Sequence, residues 1–584
     1  MSNAKRVPSS TSSHSKSVAV IGCGPTALYF LKHVVDNPSR GLAITFFSAS
    51  ETLGAGMPYN AAWVGEDTLA NIACEEIPDL EMAPDEWFRN QSDDWLHEHR
   101  LNQHLIGPGF IPSRHLLGQY FEKQFDTLLS SASNMGISIR CLRQVTVTDI
   151  VPAEAGMTIV FRQAEAENWL KFDYVVMATG HTWSADDISK PRYLTSPWPI
   201  EKLEKTEGQK IGLIGTSLSA VDACLTLARK NGIFTRDFDG RLQYLLSDDA
   251  PNFRIVMHSR RGLLPPVRVH FEYPRFELYS YISKSDIQMH IKENGGNLSL
   301  DFLFERVLKV VMKEKSPELY ALIAAMDFET FVEFIQERRK SKEPFTYLRE
   351  EYEVSVASIR EKTPIFWKEV LDDMSYTLNF HIRYLKPADV LRVHKQLMPL
   401  LTYLVAVLPQ QSCEQILALS EANCLSVIRI GDDLTITDGV DEAEARIVFS
   451  DVQTGQRVSL AYDIVVDCRG QKSIDLDDFP FRTLVETGIV TAAKIPAETP
   501  ATNGISEDKI GIGGISVDDL FHPISSAGTS TKSMFILAAP ALHGMYPYHS
   551  GLPFCSEVAK FAANEIKREM DGRPERLPLL QAVG

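Results

Sequence analysis

The chain has 584 residues, 44% of them apolar, and carries 76 acidic against 59 basic side chains for a formal charge of −17. That length exceeds one ordinary core and predicts two or three compact regions, while the acidic balance argues against a nucleic-acid or anionic-lipid partner. Eight cysteines (Cys23, Cys74, Cys141, Cys224, Cys413, Cys424, Cys468 and Cys555) form no C-x-x-C pair and no ligand-like spacing. They read as reduced thiols of a cytoplasmic protein, with neither a redox disulfide nor a bound metal.

Residues 1–16 are Ser-rich and polar without an apolar stretch, and are expected to be a disordered tail. A first dinucleotide-binding lobe is expected over 17–205. It opens on the apolar strand Val18–Ile21, followed by Gly22, Gly24 and Ala27 in G-x-G-x-x-A spacing, with Pro25 and Thr26 beginning a helix. The first glycine makes the turn, the second admits a phosphate, and the small third residue lets the helix sit close to the strand. The next strand, Ala43–Phe47, ends in Ser48 rather than the usual ribose-binding acid, and Glu51 is the nearest carboxylate. Gly54 and Gly56 then offer a second close backbone approach. Asn71-Ile72 and Arg114, the latter opening a helix, are further candidates for cofactor contact. The strand Tyr174–Ala178 closes the pattern at Thr179-Gly180.

Three prolines between Lys190 and Pro199 mark a crossing to a second lobe, expected over 206–275 and 426–470. Its turn repeats the first: Gly215 stands where Gly22 does, Ser217 where Gly24 does, and Ala220 where Ala27 does, with Thr216 and Ser219 as further contacts. Gly215-Thr-Ser217 also begins like a hydrolase nucleophile elbow, but lacks the closing glycine. The following strand, Arg254–His258, leads into Arg260-Arg261; guanidinium groups there suit the 2′-phosphate of NADPH, which a carboxylate would repel. Apolar residues three and four apart predict a mainly helical insertion over 276–425. Its most hydrophobic run, Leu397–Leu408, is too short to span a membrane. Strands return at Leu425–Ile430, Arg446–Phe449 and Ile464–Asp467, and 471–584 is expected to complete the first lobe. Its last helix begins at Gly551-Leu552-Pro553, its N-terminus aimed at the flavin. His543 and His549 are candidates near the ring.

The expected fold is therefore α/β, with two Rossmann-like lobes and a helical insertion in the second. Gly22–Ala27, Gly54–Gly56, Arg114 with Tyr120, and Ala178-Thr-Gly-His181 together resemble bacterial FAD/NAD(P)-binding proteins related to flavin-containing and N-hydroxylating monooxygenases. The resemblance implies a resident FAD, a transient NADPH, and the oxygenation of a small-molecule amine by molecular oxygen through a flavin hydroperoxide. In that family Thr179-Gly180 is the turn where the chain leaves the strand beneath the flavin, and Asn71 falls near the position that approaches the flavin ring or pyrophosphate. Two alternatives stand beside it: an oxidase or dehydrogenase with a vestigial second site, and a non-enzymatic nucleotide-binding interaction protein. Tyr376, His381, Arg383 and Lys386 in the insertion are the candidates for substrate recognition.

Overall fold

The computed structural model describes residues 15–180, 190–206, 209–275, 277–438, 444–470, 473–496, 509–549 and 551–573. In chain order, the first lobe uses Lys16–Ile21 (β1), Pro25–Asp36 (α1), Leu42–Phe47 (β2), Arg114–Asn134 (α2), Ser138–Leu142 (β3) and Tyr174–Met177 (β4). The second uses Tyr193–Leu194 (β5), Lys210–Ile214 (β6), Leu218–Asn231 (α3), Arg254–Ser259 (β7), Phe366–Asn379 (α4, in the insertion), Gln410–Glu421 (α5), Leu425–Arg429 (β8) and Ile464–Asp467 (β9). Met534–Ile536 (β10) and Leu552–Met570 (α6) return to the first lobe.

Each lobe holds a five-stranded parallel sheet, ordered β3-β2-β1-β4-β10 in the first and β8-β7-β6-β9-β5 in the second. Continuous apolar runs such as Val18–Ile21 and Ile464–Val466 form these strands because both faces are covered, and no alternation with polar residues is needed. The two sheets repeat one topology over four strands, β3-β2-β1-β4 and β8-β7-β6-β9, and differ in the fifth, which comes last in the first lobe and first in the second. Val18 lies opposite Ile44 and Tyr174, and Ile211 lies opposite Ile255 and Ile464. In both lobes a three-stranded antiparallel unit, 145–172 or 435–462, precedes the strand that enters on the other side of the first. Val20, Leu28, Phe46, Phe535 and Val558 share the first core, while Ile211, Val221, Ile255, Ile416 and Val466 share the second. Burial of each such side chain contributes roughly 1.5–3 kcal/mol.

Helices between Lys284 and Val405 bury Phe304, Phe328, Phe331, Met374 and Leu397 in a third core. This insertion leaves the second lobe after β7, the place where the loop-rich stretch before α2 leaves the first. No helix among the described residues is long and apolar enough to cross a membrane.

Three expected boundaries shift. The tail expected over 1–16 lies outside the described residues except for its last two, and Lys16 already belongs to β1, paired with Asp173 at 2.7 Å. Residues 193–205, expected in the first lobe, belong physically to the second. β5 pairs with β9, and Trp198, Ile200 and Leu203 are buried in the second core; a two-residue strand in a Pro-rich segment leaves no readable period. α5, expected within the insertion, lays Cys413, Ile416 and Leu417 on the second sheet, and β8 begins at Leu425. Its helical period matched that of the insertion, and only packing separates them.

Candidate dinucleotide sites

At the first junction Gly22 has φ +97° and its N–H donates to the Phe47 carbonyl at 2.9 Å. A Cβ there would lie 2.5 Å from the Ala178 oxygen, so the turn rests directly on the end of β4 and accepts only glycine. Gly24 precedes α1 in extended conformation, with no side chain capping the helix. Gly56, at φ +63°, packs against it: a Cβ on Gly56 would come within 2.8 Å of the Gly24 Cα. Between them the Gly54 N–H donates to the Cys23 carbonyl at 2.7 Å. The two glycine clusters thus stack backbone on backbone.

α6 approaches the same place. It starts after Gly551 (φ +92°) with Leu552 and Pro553 in its first turn, again without a side-chain cap, and packs along α1. The Thr26 hydroxyl bonds the Cys555 thiol, and His33 Nε2 lies 3.1 Å from the Ser556 carbonyl. Two helix N-termini therefore bring partial positive charge to one locus, as a pyrophosphate requires. Burial pushes the Cys23 thiol up to about 12, so it stays neutral beside the two helix N-termini. Thr179 Oγ1 is buried without a hydrogen-bond partner among the described residues, and a Cβ on Gly180 would meet open space. A glycine-lined cradle with an orphaned hydroxyl at its edge fits a bound dinucleotide.

Other sequence candidates of this lobe are placed differently. The Ser48 hydroxyl is buried and bonded to the Ser50 backbone at both its oxygen (2.9 Å) and its nitrogen (3.2 Å). Glu51 is exposed and meets Arg143 at 3.5 Å. Asn71 and buried Ile72 lie on a segment hydrogen-bonded to 108–114 through Ala70 and Cys74. Arg114 reaches away from the first turn: its Nη2 stands 3.1 Å from Asp222 on α3, and its guanidinium covers the Trp198 ring. That is the geometry of a strut between lobes. Burial holds the Asp222 carboxyl above the usual range, against the pull of Arg114.

The second junction repeats the backbone of the first. Gly215 has φ +111°, its N–H donates to the His258 carbonyl at 2.7 Å, and a Cβ would lie 3.0 Å from the Cys468 oxygen. Ser217 stands before α3 in extended conformation with no side-chain cap bond, and Ser219 sits half-buried in the helix's first turn. The Thr216 hydroxyl is committed to the Leu263 carbonyl at 2.6 Å. In front of this turn opens a cavity of about 690 Å³, lined among others by Gly215, Ser217, Arg260, Arg261, His394 and Arg469. Its volume falls within the range of small-molecule sites.

Arg260 is exposed and 3.6 Å from Asp432, whereas Arg261 donates to the Pro399 carbonyl at 3.3 Å and so touches the insertion. His394 lies on a π-helical turn, Val393–Leu397, with Nε2 3.2 Å from the Gly544 carbonyl. His258, bonded through Nε2 to the Tyr462 hydroxyl at 2.8 Å, is driven by burial down to about 4 and is neutral near pH 7.

Sequence reasoning missed His394 and Arg469. His394 left no signal, because its helix is remote in sequence from the turn it faces. Arg469 did: Asp467-Cys-Arg-Gly470 aligns with Met177-Ala-Thr-Gly180, which puts Arg469 on Thr179. His543 and His549 come together with ring centroids 6.5 Å apart, His543 also lying 3.6 Å from Asp475. The insertion's candidates do not form an open site. Tyr376 is buried against Tyr548 and Phe380, His381 is buried with Nδ1 2.9 Å from the Thr377 carbonyl, and Arg383 pairs with Asp519.

Fold and junctions together define a two-lobe α/β protein of the Rossmann type, and residues 19–182 match the model of the FAD-NAD(P)-binding family. Residues 283–405 match that of the YdhS-like middle domain, which coincides with the helical insertion. The chain is 27% identical over 564 residues to the uncharacterized protein YdhS of Escherichia coli (strain K12), covering 96% of this chain and 99% of that one. Among solved structures, ornithine N-hydroxylase of Kutzneria sp. 744 aligns with a TM-score of 0.49 at 12% identity, over 95% of this chain and 99% of that one. L-lysine 6-monooxygenase of Pseudomonas syringae aligns with 0.49 at 11% identity, over 96% and 99%. Bacillithiol disulfide reductase of Bacillus cereus aligns with 0.42 at 9% identity, over 95% and 99%.

Proposed function

We propose that the protein is an FAD-dependent, NADPH-consuming monooxygenase that N-hydroxylates the amine of an amino acid or related small molecule, using molecular oxygen, in the cytoplasm. The observation that carries this reading is the unlike character of two like junctions: one closed by stacked glycines and two helix N-termini, the other open to a cavity with three arginines. A closed cradle suits a resident group, and an open basic one suits a dinucleotide that comes and goes. The amine as the reacting group rests on the motif resemblance of the first lobe.

Bound FAD would accept hydride from NADPH and pass reducing equivalents to oxygen. The chain's own residues do the rest. Gly22, Gly24, Gly54 and Gly56 let backbone approach the flavin pyrophosphate, and the N-termini of α1 and α6 stabilise its charge. Arg260 and Arg261 hold the 2′-phosphate, and the insertion, through His394 and the Pro399 contact of Arg261, forms one wall of the nicotinamide cavity. All eight cysteines are unpaired, consistent with a reducing compartment and with electrons passing directly to oxygen or substrate.

Anaerobic mixing of the yellow protein with NADPH should bleach the flavin, and NADH should do so far more slowly. Readmitted oxygen should restore the colour, and candidate amines should appear as hydroxylamines by mass spectrometry. A flavin that NADPH never bleaches, with or without amines, removes the reading; reduction by substrate alone would move the protein to the oxidases.

A further inference from the structure

We propose that Arg469 is the pyrophosphate ligand of the second dinucleotide site, facing the turn from the far wall of the crevice and supplying charge where Ser217 has replaced a glycine. The inference rests on the nicotinamide reading of that cavity and assigns one of its subsites.

The first argument is position. β6 is the strand from which the sheet's order departs in both directions, through β7 to β8 on one side and through β9 to β5 on the other. Ligands in such sheets bind in the crevice at the carboxyl ends of the strands on either side of this switch point. Arg469 stands two residues after the end of β9 and lines the same cavity as Gly215 and Ser217. Arg260 and Arg261 follow β7, on the opposite side of β6. A dinucleotide lying across the crevice therefore presents its 2′-phosphate to the β7 side and its bridging phosphates to the centre, within the sector Arg469 borders.

The second argument is preorganisation. Asp467 accepts from Arg469 Nε at 3.0 Å, from Nη2 at 2.6 Å and from its backbone N–H at 3.1 Å, and is itself oriented by the Tyr193 hydroxyl at 3.1 Å. One edge of the guanidinium is thus pinned to the end of β9, while the side chain keeps 56% of its surface exposed. An arginine fixed on one edge offers the rest of its fork to a phosphate at little further cost in rotamer entropy.

The third argument comes from the duplicated fold. Thr179 occupies the position of Arg469 in the first lobe, next to a turn that retains Gly24 and is backed by Gly56. Where backbone closes on the phosphates, a neutral side chain stands at the end of the fourth strand. Where Ser217 holds the backbone off, a cation stands there.

Titration calorimetry with NADP⁺, NAD⁺ and 2′-AMP, which carries the 2′-phosphate and no phosphate on its 5′-oxygen, tests the assignment on the FAD-loaded protein. Arg469→Ala should weaken NADP⁺ and NAD⁺ by the same factor, about 10-fold or more, and leave 2′-AMP unchanged. Arg469→Lys, which keeps the charge and loses the fork, should fall between. Arg261→Ala should weaken NADP⁺ and 2′-AMP but spare NAD⁺. Unchanged binding of both dinucleotides by Arg469→Ala overturns the assignment alone, and so does an equal loss for 2′-AMP, which would mark a role in the lobe's structure. A wild-type protein that binds none of the three overturns the nicotinamide reading, and the assignment with it.

Discussion

The two junctions share backbone down to single hydrogen bonds, yet their surroundings differ. Gly22 and Gly215 each have positive φ, each donate to the end of the second strand, and each face a carbonyl of the strand that enters beside them. Around that common frame the first lobe adds glycine backbone and a second helix N-terminus, and the second adds arginines and a cavity. On the proposed function, the same local backbone would serve as a permanent seat or a passing one according to what is packed against it.

Substitutions can break this comparison at graded strength. The largest effect is expected for Gly22→Ala, which combines a positive φ with a Cβ 2.5 Å from the Ala178 oxygen. Strain and overpacking together should cost on the order of 4 kcal/mol in urea denaturation and abolish flavin retention. Arg114→Ala comes next. It strips the counter-charge from Asp222, whose side chain is 11% exposed at the lobe boundary, and should destabilise by about 3 kcal/mol; adding Asp222→Ala should return part of the loss in a double-mutant cycle. Gly215→Ala meets its carbonyl at the longer distance of 3.0 Å and should cost about 2 kcal/mol, leaving flavin content intact. If Gly22→Ala and Gly215→Ala shed flavin equally, the two sites are not distinct in the way described.

The smallest effect is one of pH, and it belongs to the second lobe. Burial lowers His258 from 6.5 to about 4, so between those values the unfolded chain binds a proton that the native state refuses. Stability from this group is present above pH 6.5 and is lost as pH falls towards 4. The loss amounts to about 1.4 kcal/mol at about pH 5.5. Comparing thermal melting of wild type and His258→Gln between about pH 7.5 and 5.5 should show a shallower acid loss in the variant. An identical slope would mean that other groups set the acid sensitivity.

Both strand–turn–helix junctions, the strands that flank them and the helical insertion were legible in the sequence, because each is written within a dozen or so neighbouring residues. The residues that oppose the junctions were not. Ser48 looked available to a ribose, but its hydroxyl is spent on the Ser50 backbone two residues away. Arg114 opened a helix near the flavin segment, and its length carried the guanidinium to Asp222 instead. Tyr376 and His381 carried polar atoms in an aromatic stretch, and packing of α4 against Tyr548 and Phe380 buried them. A side chain's reach and competing partners are not properties of its neighbours in sequence.

The sequence by itself determined that two phosphate-approach turns exist, that the second has a serine for a glycine, and that arginines follow its next strand. These are local facts of residue size, charge and period. Only the tertiary structure decided that Gly56 seals Gly24, that Cys555 brings a second helix N-terminus to Thr26, and that Arg469 borders the cavity of Ser217. Such pairings depend on which strands become neighbours in a sheet. Burial of the whole core chooses that order, and no short segment encodes it.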